Sequence, residues 1–174
     1  MLTKTSSLSG DFAAVADQLG KRPHSFLSVA SRCPAGHPSV VMGYPLRYQA
    51  NRPVPFPSHL WLTCPRLSDQ LSHLERQGCI GQLQRLLLNS PDLQRRFMHD
   101  HRRCIDHRWR LLRRHDRHAI RCYGLMHVYQ DRGIGGVANW MSIKCLHLHY
   151  AHHLVLGDVI GQLLEQHDGI TPCG

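Results

Sequence analysis

Long apolar runs are missing from this 174-residue chain: no stretch reaches the roughly 18 apolar residues needed to span a bilayer. The start, MLTKTSSLSGDF, has one lysine and no apolar core, so it does not read as a secretory signal. Both absences point to a soluble, cytoplasmic protein. The sequence also contains no internal repeat, P-loop, dinucleotide glycine pattern, GxSxG elbow or HExxH pair, which removes the enzyme classes those motifs mark. Without a CxxC pair there is no ready-made zinc knuckle. Acidic side chains are few, 12 against 21 Lys and Arg, and the formal charge of +9 favours anionic partners. Lysine is scarcer still: eighteen of the 21 cations are Arg, and Lys144 is the only lysine after Lys21.

What is present is histidine, fifteen of them, and seven cysteines. An odd number of thiols in a reducing compartment argues against a disulfide framework and leaves buried thiols, metal ligands or reactive groups. The length suits one domain. Residues 1–22 read as a loose polar arm with one short helix at Asp11–Leu19, residues 23–168 as a single domain and 169–174 as a tail. Phe26–Ser31, Ser39–Met42 and His59–Thr63 are β-prone runs bounded by Pro and Gly, whereas the prolines of ANRPVPFPS predict a stiff connection and not a strand interior. Leu67, Leu71 and Leu74 predict a helix stopped by Gly78, and Ile80, Leu83, Leu86 and Leu87 another. Ser90-Pro91-Asp92 opens a third that runs to about Arg114, with Leu93, Phe97, Ile105, Trp109 and Leu112 inward. After a flexible GIGG turn, Val137–Leu156 reads as one long helix and Val159–Glu165 as a closing one. The fold class is α+β: a small N-terminal sheet of about three strands, then a packed helical half.

The segment KCLHLHYAHH, residues 144–153, puts one thiol and four imidazoles into an apolar helix. Buried polar groups need partners or cost about 1–3 kcal/mol each, so sharing a ligand is one way to satisfy several. At 100° per residue Cys145, His149 and His152 fall on one face while His147 points away. Cys33 and Cys64 each follow a predicted strand and precede a proline, so two strand ends can aim at one point. Two Cys from the sheet with Cys145 and one His from the helix would make a tetrahedral Cys3His zinc site joining the two layers. An iron–sulfur cluster is the less favoured occupant of such a set.

These landmarks also carry a resemblance. VASRCPAGHP at residues 29–38, Pro55-Phe56-Pro57, Leu62-Thr63-Cys64-Pro65, Leu74-Glu75 with Gly78, Gly135-Gly136, Lys144-Cys145-Leu146-His147 and Ala151-His152 resemble, in order, the bacterial family known as domain of unknown function 501. The resemblance covers roughly residues 22–166 and implies no established activity. It places Arg32, Cys33, Cys64, Glu75, His101, Arg108, Lys144, Cys145, His147 and His152 among signature positions. Many members carry Cys-Pro-Cys-Gly where this chain has Cys33-Pro34-Ala35-Gly36. The family pattern favours His147 where helical spacing favours His149, and the choice between them stays open.

Three further groups bear chemistry. Glu75 could serve as a general base on metal-bound water, with Lys144 and His101 as other catalytic candidates of a metal-dependent hydrolase. Residues 92–118 hold nine Arg and four Asp, and this Arg-rich stretch could grip nucleic acid or an acidic protein. Its bland alternative is a solvated helix face laced with Asp–Arg pairs.

Overall fold

The computed structural model describes residues 4–171, so the ends of the expected arm and tail, residues 1–3 and 172–174, lie outside the described residues. It is a mixed α+β single domain. Helix α1 (Lys4–Leu19) precedes strands β1 (Phe26–Arg32), β2 (Pro38–Gly43), β3 (Leu46–Gln49), β4 (Arg52–Pro55) and β5 (Leu60–Leu62). Helices α2 (Pro65–Arg76), α3 (Cys79–Asn89), α4 (Pro91–Leu111), α5 (Arg114–Cys122), α6 (Met126–Gln130), α7 (Leu146–Leu156) and α8 (Val159–Asp168) follow.

The three expected strands form an antiparallel sheet in the order β1-β2-β5, with Val41 of the central strand opposite Val29 and Trp61. The N-terminal helix is longer than Asp11–Leu19 and is docked on this sheet. Val15 is buried, Phe12 packs edge-on against Phe26, and Asp11 pairs with Arg32.

ANRPVPFPS is not a mere connection, as the prolines suggested; its middle is strand β4, paired with β3 as a hairpin. Ala50 and Asn51 both adopt positive φ (47° and 60°), the backbone of a two-residue turn that matches strand twist. Gln49 and Arg52 flank that turn as a hydrogen-bonded pair, so Pro53 opposite Tyr48 and Pro55 opposite Leu46 occupy the alternate positions. A missing N–H there takes nothing from the ladder. Tyr44 and Tyr48 donate to the buried Asp116 of α5, which ties the hairpin to the helices.

Two helix limits also differ from expectation. The third helix ends at Leu111, because Leu112 and Arg113 turn extended and Arg113 donates its N–H to Tyr44 Oη; α5 then starts afresh. The long helix at 137–156 starts only at Leu146. Upstream, backbone groups are held by side chains of other helices: Gln84 donates to Met141 O and accepts from Ile143 N, and Glu75 accepts from Leu146 N. Asn139 Oδ1 accepts from Met141 N as well, an alternative to helix that Asn offers readily. Cys145 is therefore the extended residue that caps α7 (φ −163°) and not part of its first turn.

α7 occupies the centre. Leu146 and Tyr150 join the main apolar cluster with Leu67, Leu71, Phe97 and Leu164, while Ala151 packs on Val40 and Leu60 of the sheet. A helix covered on several sides reads apolar all round, as LHLHYAHHLVL does apart from its imidazoles.

Candidate metal centres

Two groups of metal-ligating side chains converge among the described residues: Glu75, Cys145 and His147, and separately His59, Cys104 and His152. Neither includes Cys33 or Cys64.

The first group lies where α2 meets the start of α7. Cys145 Sγ is 3.6 Å from His147 Nδ1, and Glu75 Oε1 is 3.2 Å from the same nitrogen. His147 Nε2 faces Ser68 O at 3.1 Å, with Ser72 Oγ 3.2 Å away. A carbonyl only accepts, so Nε2 donates to Ser68 O, while Nδ1 faces the thiol and the carboxylate, toward which it donates when the ring is protonated. Cys145 beside it, with Glu75 adding to the field, pushes the imidazole up to about 9. All three residues are half-buried. His147 reaches this point because Cys145 lies outside the helix, so regular 100° spacing between them does not apply.

The second group is in the core. His59 directly precedes β5, Cys104 is in mid α4, and His152 in mid α7. Cys104 Sγ is 3.8 Å from His152 Nε2, and His59 Nε2 is 2.8 Å from Nδ1 of a fourth donor, His107. Burial pushes His59 down to about 3, holds His152 well below the ordinary histidine value, and pushes the Cys104 thiol up to about 12.

The other candidates have different settings. Cys33 lies in the tight turn after β1, its N–H donating to His37 O and its Sγ 3.8 Å from His37 Nδ1. Cys64 caps α2 within the main apolar cluster. His149 is fully buried against Asp158, Nδ1 to Oδ2 3.0 Å. Lys144 Nζ donates to Gly135 O at 2.9 Å. His101 is buried, accepts from Ile134 N at Nδ1, and is pushed down to about 4 by burial. That contact requires Gly133, since a Cβ there would stand 2.3 Å from His101 Nδ1.

A family model described as Protein of unknown function (DUF501) matches residues 29–166 of the 174. The chain belongs to this family. No curated protein and no solved structure matches it. In this DUF501 chain both candidate centres fall inside the matched span.

Sequence reasoning missed His59, Cys104 and His107. The signal was available on α4, where Phe97, His101, Cys104 and Arg108 recur at i, i+4, i+7 and i+11 and form the buried stripe. Three of the four are polar letters, so a search for apolar periodicity chose Ile105 and Trp109, which are only half-buried. Arg108 is fully buried and has no carboxylate partner among the described residues; its guanidinium donates to the carbonyls of Pro57, Val128, Tyr129 and Arg132.

Proposed function

We propose that this is a zinc-binding domain whose ion is held by Glu75, Cys145 and Nδ1 of His147. One observation carries the reading: three unlike donors lie within 4.8 Å of one another, and one pair has the spacing that a single ion imposes. A thiolate at about 2.3 Å and an imidazole at about 2.1 Å on a tetrahedral ion lie about 3.6 Å from each other, and Sγ and Nδ1 are 3.6 Å apart. The Ser68 carbonyl on the far side of His147 supports it, because ligating imidazoles characteristically donate their other N–H to such an acceptor.

Three protein ligands leave one position open at a half-buried site, the arrangement of catalytic zinc, which supplies a Lewis acid to a water or substrate there. A metal-dependent hydrolase is thus the enzyme class this geometry favours. The test is zinc content of tag-free protein with and without Cys145→Ser or His147→Gln. Loss of one zinc per chain in either variant is expected, and unchanged stoichiometry in both would remove the assignment.

A second reading, nucleic-acid or acidic-partner binding, has its own support. Arg95, Arg96, Arg102 and Arg110 are exposed on α4, and Arg95, Arg96 and Arg103 line an open depression of 390 Å³ beside α8. Binding of RNA that does not weaken steeply with salt would count against it.

A further inference from the structure

The four imidazoles of α7 differ in one respect. His147 faces Glu75, His149 faces Asp158, and His153 Nε2 is 3.2 Å from Glu165. Each of these has a carboxylate. His152 has a thiol and two other histidines instead: Cys104 Sγ at 3.8 Å, the His59 ring edge-on with centroids 5.4 Å apart, and His107 behind His59. Among the described residues, none of these four side chains exchanges a hydrogen bond with a carboxylate.

We propose that His59, Cys104 and His152 form a second zinc site that fastens the sheet to α4 and α7, with His107, 2.8 Å from His59, the nearest further imidazole. Three features carry it. One donor atom from each of the first three residues lies within 4.8 Å of the others, although the residues come from segments far apart in sequence. They are also 0, 1 and 2% exposed, so bulk solvent does not reach them. Finally, the donor set, one sulfur with two or three imidazole nitrogens, is the kind a tetrahedral zinc takes and an oxygen-seeking cation does not.

Each neutral imidazole brings one N–H and one lone pair into the core, and burying such groups without full pairing is unfavourable. One divalent ion replaces that crowd of partial contacts with a single centre. On binding, the Cys104 proton leaves for solvent and the sulfur coordinates as thiolate, so zinc uptake releases one proton from this site. With its three ligands 0 to 2% exposed the site offers substrate no access, and the role is structural. The backbone already holds the sheet end of the site, since Gly43 N donates to His59 O.

This site is independent of the Glu75–Cys145–His147 centre, and the experiment separates them. Cys145→Ser protein, full length, tag-free and handled anaerobically, is analysed for zinc and by zinc K-edge absorption. About one zinc per chain with a shell of one sulfur and two or three imidazoles supports the proposal, and adding Cys104→Ala must then abolish it. Metal-free Cys145→Ser protein that also fails to bind added Co²⁺ overturns it, as does zinc that survives Cys104→Ala. Should the double variant not fold, the Co²⁺ complex of Cys145→Ser decides alone. A thiolate-to-cobalt charge-transfer band with an imidazole-rich shell supports the site, and a shell without imidazole overturns it. Zinc content unaffected by Cys145→Ser but lost with Cys104→Ala would sink the first assignment and leave this one standing.

Discussion

Arg108 shows how much a single position can hold together. Its guanidinium is buried against four backbone carbonyls contributed by the loop before β5 and by the segment after α5. Arg108→Ala strands those acceptors and opens a cavity, and a loss of about 3 kcal/mol or more is expected from urea unfolding. Arg108→Lys should recover little of it, because an ammonium cannot reproduce the planar fork. His101 gives a pH dependence. Its Nδ1 must stay an acceptor for Ile134 N, and burial holds its pKa near 4, below the ordinary value of 6.5. The unfolded chain therefore binds this proton first as pH falls. Stability present above pH 6.5 is lost between about 6.5 and 4, on the order of 3 kcal/mol from this group. The slope of stability against pH in that window should flatten in His101→Phe, and an identical slope would contradict the assignment. At this scale the sequence was legible where a residue had a pattern to belong to. Cys145 and His147 were marked by resemblance and Cys104 lay on a buried helical stripe of mixed letters, while His59 carried no such signal.

Among the elements, the segment before α7 decides the candidate site. Val137–Leu156 carried enough apolar residues to read as one helix, yet Gln84 of α3 and Glu75 of α2 capture its backbone groups, and no local pattern records captors 57 to 71 residues away. That captured stretch is what frees Cys145 from helical register and brings His147 to it. Replacing Gln84 with Leu leaves Met141 O and Ile143 N without their partner. Stability should fall by about 2 kcal/mol, and zinc affinity by roughly tenfold, as for other supports of metal ligands. Isothermal titration with zinc checks it, and unaltered affinity would mean that Gln84 does not position Cys145. The hairpin was hidden for a related reason. Its turn is Ala50-Asn51 in place of the Asn-Gly that announces such turns, and its prolines are harmless only because of register, which a single strand's sequence does not state.

For the whole molecule, the layers were readable in advance: the three β1-β2-β5 strands and helices α2 to α4 begin within a few residues of where apolar period, Pro and Gly placed them. The meeting of distant residues was not, because three donors from residues 59, 104 and 152 share no spacing. Both centres join elements remote in sequence, so zinc should add to the stability of the entire fold. Chelation is expected to lower the melting temperature by on the order of 10 °C, given zinc well above its dissociation constant. A melting temperature indifferent to chelator, at zinc stoichiometry shown to fall, would contradict that coupling. The most direct test of the central claim is an anomalous difference map at the zinc edge from crystals of tag-free protein. Zinc at this site gives a peak bonded to Cys145 Sγ, His147 Nδ1 and a Glu75 carboxylate oxygen. A map with no peak there, in crystals whose protein carries zinc elsewhere, would contradict it.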